Sequence, residues 1–248
     1  MAVRRYTDVM ELAALIFDVD GTLADTERDG HLPAFNAAFS EAGLPWVWDE
    51  RLYGELLAVT GGKERIRHYC ERFQPNYALP PDFEGLVAAL HRSKTRHYLA
   101  RVDSGALPLR PGVRRLIDEA RAAGLRLGIA TTTTADNVSA LIRASLAPEA
   151  EDWFELIAAG DIVPAKKPAP DIYHYVLARM DLPAGACLAL EDSGNGLAAS
   201  LAAGIPTVVS VNDYTRGQDF QGALAVLPDL AAVGLDDLVR WHGHHANL

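Results

Sequence analysis

Leu12-Ala13-Ala14-Leu15-Ile16-Phe17-Asp18-Val19-Asp20-Gly21-Thr22 is the stretch on which the reading of this chain turns. An uninterrupted apolar run gives way abruptly to two carboxylates and a glycine. A strand with one wet face alternates polar and apolar residues, whereas a run without alternation fits a strand buried on both faces, as in parallel sheets covered by helices. Runs of the same kind recur at residues 125–130, 155–158, 187–190 and 206–211. Helical patterns lie between them, at residues 111–124, 136–146, 171–180 and 195–203. The first is the clearest, with Pro111 in its first turn, Val113, Leu116, Ile117 and Ala120 on one face, and Gly124 as terminator. Strands alternating with helices predict an α/β fold, a doubly wound, Rossmann-like parallel sheet.

The alternation stops between about Glu27 and Gly105. Helical patterns at residues 32–42, 50–59, 63–73 and 83–102 follow one another with no buried strand among them. The organisation expected is an α/β core of residues 1–26 and 106–248 with a small helical insert, residues 27–105, between its first two strands. Asp103-Ser104-Gly105 is the expected return hinge.

Ligands of such sheets bind beyond the carboxyl ends of the strands. The residues standing there are Asp18 with Asp20, Thr131, and Glu191 with Asp192. A carboxylate at Asp18 can attack phosphorus and form an acyl-phosphate. A second acid at Asp20 can protonate the leaving oxygen and then take a proton from water. Read alone, the pair is equally an acidic turn closed by Gly21. Thr131, in Ile129-Ala130-Thr131-Thr132-Thr133-Thr134, offers a hydroxyl and main-chain amides to an anion ahead of a helix, or simply caps that helix. Lys167, in Lys166-Lys167-Pro168-Ala169-Pro170-Asp171, can offset charge on a transferring phosphoryl group. Magnesium prefers oxygen ligands, and Asp18, the Asp20 carbonyl and Glu191 or Asp192 can supply them.

In this order and spacing the set resembles the haloacid dehalogenase superfamily of phosphohydrolases and mutases over nearly the whole chain. The resemblance implies Asp18 as nucleophile, Asp20 as general acid/base, Thr131 and Lys167 as phosphate holders, Asp192 with Glu191 beside Mg2+, and the insert as a mobile cap. Asp25-Thr26-Glu27 followed by His31 is similar to the beta-phosphoglucomutase-like subgroup. Pro45-Trp46-Val47-Trp48-Asp49, Thr60-Gly61-Gly62-Lys63-Glu64-Arg65-Ile66, His91-Arg92-Ser93-Lys94-Thr95 and Leu109-Arg110-Pro111-Gly112 resemble the CbbY-type sugar bisphosphate phosphatases. Those enzymes remove the 1-phosphate of xylulose-1,5-bisphosphate, a misfire product that inhibits Rubisco of the Calvin cycle, and leave xylulose 5-phosphate. By that resemblance Glu27 and His31 contact the sugar. One departure stands out: the segment from Glu27 to His31 is one residue longer than the family pattern. A mutase returning the phosphoryl group to a sugar and a phosphoglycolate-type phosphatase are the rival readings.

The insert bears on the choice. Gly61, Gly62, Lys63, Glu64 and Arg65 form a glycine-rich, basic helix start suited to a phosphate. His91, Arg92, Ser93 and Lys94 add a second cluster, which is equally a solvated helix face. Lys167 already serves the transferred group, so these cations point to a second anion on a small sugar phosphate. Thr132, Thr133 and Asn137 complete the expected substrate contacts. Trp46 and Trp48 are expected in the insert's own core.

A net charge of −10 argues against nucleic acid or an anionic membrane as partner. Cys70 and Cys187 read as free buried thiols of a reducing compartment. Arg4 and Arg5 precede an apolar stretch too short for a signal peptide, so a cytoplasmic monomer is expected. Trp241-His242-Gly243-His244-His245 is expected to be a frayed tail.

Overall fold

A computed structural model describes residues 11–245; Arg4 and Arg5 lie outside the described residues. Six parallel strands form one sheet in the order β3-β2-β1-β4-β5-β6. They are β1 (Ala14–Phe17), β2 (Arg126–Ala130), β3 (Leu156–Ala158), β4 (Cys187–Glu191), β5 (Thr207–Ser210) and β6 (Ala225–Leu227). The opening run is the inner strand, with Leu15 opposite Leu127 on one side and Leu188 on the other. Its side chains alternate between two cores, as the pleat requires. Leu15 and Phe17 join Leu127, Ile129, Leu188 and Leu190 beneath α5 (Val113–Ala122) and α6 (Ala135–Ser145). Ala14 and Ile16 face α7 (Asp171–Met180) and α8 (Gly194–Ala202) with Ile172, Tyr173, Val176 and Ala199. Both faces are covered, which is why the run is unbroken by polar residues.

Between β1 and β2 the chain builds α1 (Leu32–Glu41), α2 (Glu50–Leu56), α3 (Gly62–Phe73) and α4 (Phe83–Asp103). These enclose a separate aromatic cluster of Phe35, Phe39, Trp46, Trp48, Tyr53 and Tyr69. Ring pairs such as Phe39–Trp48 at 4.8 Å and Trp48–Tyr69 at 5.2 Å are near edge-on. Pairs of this kind contribute about 0.5–1.5 kcal/mol each beyond burial. Asn36 ties the extended segment to α1, donating to Trp48 O at 2.8 Å and accepting from Trp48 N at 2.8 Å. The insert is not fully self-contained, since Ala34, Tyr98 and Val102 pack into the core beneath α5 and α6.

Three features depart from the sequence reading. Residues Glu27–His31 form a π-helical turn, in which Leu32 N donates to Glu27 O. One residue beyond a normal helical turn is thereby absorbed. Residues 241–245 are not a frayed tail: α9 (Leu235–His245) packs Leu238 into the core, and His242 Nε2 lies 2.8 Å from Gly185 O. The edge strand β6, with Ala225 and Leu227 half-buried and Val226 exposed, is absent from the strands expected from sequence. Among the described residues no helix is long and apolar enough to cross a membrane. Cys70 and Cys187 are free and buried.

Candidate active site

The parallel strands all end at one edge, and each delivers a polar residue there. Asp18 follows β1 and donates its amide to Leu190 O at 2.9 Å; Thr131 follows β2 and donates its amide to Ala158 O at 3.0 Å. Glu191 closes β4 with Asp192 next to it, and Asn212 comes just after β5. Gly21 makes the turn that lets these groups meet. Its φ is +83°, and a Cβ there would stand 2.3 Å from Asp192 Oδ2 and 2.6 Å from Asn212 Nδ2.

Lys167 is the hub. Its Nζ donates to Asp18 Oδ1 at 2.8 Å, to Glu191 Oε1 at 2.6 Å and to Ala130 O at 2.8 Å. The Tyr173 hydroxyl also donates to Glu191 Oε1, so that oxygen is saturated. Burial disfavours a charged lysine, yet Asp18 and Glu191 outweigh it and hold Lys167 above its usual range. Burial pushes Asp18 up to about 7; the pull of Lys167 is partly cancelled by Glu191 and Asp20. Burial, with Asp18 and Glu191 as neighbours, raises Asp192 well above the carboxylate range.

Asp18, Glu191 and Asp192 are all buried and present oxygens within 4.8 Å of one another. Two carboxyls forced up by burial and mutual repulsion are what a divalent cation would relieve, so the donor set fits one. The Asp20 carboxylate is not in this cluster. It turns instead to Thr26 Oγ1, 2.5 Å away, and His31 Nε2, 2.9 Å away, both on Oδ1. Burial works against ionising Asp20, but His31 and Thr26 prevail and hold it well below its usual range. The π-helical turn leaves His31 at this position, stacked on Tyr98 with ring centroids 4.3 Å apart.

Two cavities of about 280 and 330 Å3 share Asp20, Glu27, Arg65 and Thr132 in their walls. Asp18, Thr131, Lys167, Glu191 and Asp192 line the first. The second reaches under the insert and carries more basic than acidic groups, with Lys63, Arg65, Arg92, Lys94 and Lys166 against Asp20, Glu27 and Asp161, and His31, Gly61, Gly62, His91, Thr133 and Asn137 also in its walls. Lys94 is buried over the rings of Phe35 and Tyr98, and burial pulls its ammonium down to about 8. Burial, reinforced by Lys94, lowers His91 to about 4. Arg65 donates to Tyr53 OH at 2.9 Å and lies 3.7 Å from Glu27 Oε2. Asn137 donates to Thr133 Oγ1 at 3.2 Å, while its buried Oδ1 has no partner among the described residues.

Two expected substrate residues do not face either cavity. Ser93 Oγ donates to Glu41 Oε2 at 2.5 Å, between α1 and α4. Glu64 instead accepts from Lys166 at 2.9 Å, one rung of a ladder in which Asp161 holds Lys166 at 2.9 Å and Lys63 at 2.8 Å. The ladder crosses from insert to core. Sequence reasoning missed Lys166, Asp161, Tyr173 and Asn212. Only Asn212 carried a signal, as the residue after the last apolar run.

A buried lysine bonded to one acid of a buried three-acid cluster that fits a divalent cation, at the carboxyl edge of a parallel sheet, defines a phosphohydrolase type of site. The haloacid dehalogenase-like hydrolase family model matches residues 12–204, and the chain belongs to that family. It is 55% identical to Protein CbbY of Cupriavidus necator over 88% of this chain and 86% of that one, and 52% identical to Protein CbbY of Rhodobacter capsulatus over 90% and 96%. A crystal structure of a CbbY variant from Rhodobacter sphaeroides in complex with xylulose-(1,5)bisphosphate superposes with a TM-score of 0.85 at 45% identity, covering 92% of this chain and 99% of that one. The chain is thus a phosphatase of the CbbY-type subgroup, a phosphoric monoester hydrolase acting on sugar phosphates.

Proposed function

We propose that the enzyme uses Mg2+ to remove the 1-phosphate of xylulose-1,5-bisphosphate, leaving xylulose 5-phosphate. The observation that carries this reading is the second cavity. A monophosphate is fully served by Lys167, Thr131 and the carboxylates, so a basic chamber sharing walls with that site calls for a second anion on the same small molecule. The likeness to a CbbY that binds xylulose-(1,5)bisphosphate supports the same substrate.

An Asp18 carboxylate oxygen attacks phosphorus, and the bond from phosphorus to the sugar oxygen breaks. The proton for that oxygen is assigned to Asp20, which Thr26 and His31 hold ionised here through Oδ1, so it must first take up a proton at Oδ2 as the negatively charged substrate binds. Water then attacks phosphorus, returning a proton to Asp20, and the bond to Asp18 breaks to release phosphate. Lys167 and Thr131 hold the phosphoryl oxygens through both steps. Asp18, Asp192, Glu191 and the Asp20 carbonyl would hold the Mg2+, which offsets charge on the transferring group. Residues 27–105 act as the cap, with Glu27 and His31 toward the sugar and Lys63, Arg65, His91, Arg92 and Lys94 toward the distal phosphate, while Asn137 reaches the sugar from α6 of the core. Closing the cap excludes bulk water from the site.

Phosphate release from xylulose-1,5-bisphosphate with Mg2+ should far exceed that from ribulose-1,5-bisphosphate. Equal rates, or none, reject the substrate. Asp18→Asn should abolish turnover in a folded protein, and retained activity removes the nucleophile.

A further inference from the structure

Leu109-Arg110-Pro111-Gly112 returns the chain from the insert to the core, and no step of phosphoryl transfer uses it. Arg110 is nevertheless 7% exposed, and its guanidinium is heavily engaged. Nη1 donates to Gly21 O, to Ser210 O at 2.9 Å and to Ser210 Oγ at 3.1 Å. Nη2 donates to Val211 O at 2.6 Å and Pro228 O at 3.0 Å, and Nε lies 3.2 Å from Asp25 Oδ1. The Arg110 amide donates to Leu23 O at 2.8 Å, and Leu109 bridges Ala24 antiparallel. One side chain therefore joins the outgoing linker of the insert, the returning linker, the end of β5 and the segment after β6.

Two of those carbonyls lead to the reaction centre. Gly21 follows Asp20 and lies against Asp192. The Val211 carbonyl shares its peptide with the Asn212 amide, which donates to Thr215 Oγ1 at 3.0 Å, so that peptide is held from both sides. Asn212 Nδ2 then donates to Asp192 Oδ2 at 2.7 Å. We infer that Arg110 is a positioning residue that sets the Asp192 carboxylate for its cation through Asn212 and the Gly21 turn, and ties that setting to the hinge of the insert. The inference rests on the metal assignment made above. Lysine cannot substitute, because a compact ammonium cannot reproduce the planar fork that reaches five acceptors.

The test uses Arg110→Lys and Arg110→Ala in the full chain. Turnover is measured with the sugar bisphosphate, and metal binding is measured directly by the free Mn2+ signal in electron paramagnetic resonance. Groups that orient metal ligands typically change affinity or activity by about 10–100-fold. Arg110→Lys should weaken Mn2+ binding and lower kcat within that range, with KM shifted by less than about threefold. Guanidinium ion, but not sodium at equal ionic strength, should restore kcat to Arg110→Ala. A folded Arg110→Lys with wild-type kcat and Mn2+ affinity overturns the inference, as does a lowered Tm with both quantities unchanged. If Arg110→Lys does not fold, Asn212→Ala cuts the same path at its last link and must show the weakened Mn2+ binding; unchanged binding there also overturns it. A wild-type enzyme that binds no Mn2+ sinks the metal assignment and the inference with it, whereas unchanged variants beside a metal-binding wild type sink the inference alone.

Discussion

Replacing Gly21 by alanine separates backbone strain from displacement of a catalytic carboxylate. The left-handed φ of +83° costs a non-glycine residue roughly 1–2 kcal/mol. The added Cβ would sit 2.3 Å from Asp192 Oδ2, where even a tight contact needs 3.0 Å, so the carboxylate or the turn must move by at least 0.7 Å. Asp192 cannot yield freely, because Asn212 holds the same oxygen at 2.7 Å. A misplacement approaching 1 Å at a reaction centre costs on the order of 100-fold in rate. Gly124→Ala is the control: its φ is +77° and a Cβ there meets nothing within 4 Å. Gly124→Ala should lose roughly 1–2 kcal/mol of stability by urea titration and Gly21→Ala more, because overpacking adds to the backbone strain, and only Gly21→Ala should lose kcat by about 10–100-fold. Wild-type kcat in Gly21→Ala refutes the claim that Asp192 placement limits turnover, and an equal loss in Gly124→Ala refutes the separation itself.

Lys94 is charged below about pH 8 and neutral above it, because burial disfavours its ammonium. A distal phosphate needs the charged form, so kcat/KM for a sugar bisphosphate should fall as pH rises through about 8, and Lys94→Met should remove that limb. A limb that survives in Lys94→Met assigns the titration elsewhere. Chelation of divalent cations should stop turnover, and Mg2+ at 100 times its Kd should raise stability by about 2.7 kcal/mol, read as a higher Tm; no shift excludes a cation among Asp18, Glu191 and Asp192. Ser93→Ala should leave KM unchanged, since Ser93 serves Glu41 rather than either cavity; a raised KM would return Ser93 to the substrate site.

The inner strands of the sheet were legible because burial on both faces imposes a local signature, an unbroken apolar run. Parallel order then fixes that the residues after those runs meet at one edge, which is how Asp18, Thr131 and Asp192 could be named without coordinates. Edge strand β6 escaped although Ala223-Leu224-Ala225-Val226-Leu227 is an apolar run, because it is short and, at the sheet edge with Val226 exposed, is not enclosed on both faces. Helix α9 escaped because its histidines disguised an amphipathic face on which Leu238 and His242 are buried. Adjacent lysines 166 and 167 also read alike in sequence, yet Lys167 enters the carboxylate cluster while Lys166 meets Glu64 and Asp161 beside the second cavity.

The sequence by itself determined the buried strands, the helical insert after the first of them, and the list of acids, hydroxyls and cations standing at strand ends. Those follow from periodicity and composition within windows of a few residues. Only the tertiary structure decided the pairings: Asp20 with Thr26 and His31, Asp192 with Asn212, and Arg110 with carbonyls from Gly21 to Pro228. The physical reason is that side-chain hydrogen bonds, whether 6 positions apart as in Asp20–Thr26 or 118 as in Arg110–Pro228, leave no periodic trace, and a π-helical turn at Glu27–His31 keeps His31 beside Asp20 despite an extra residue that spacing alone marks as a misfit.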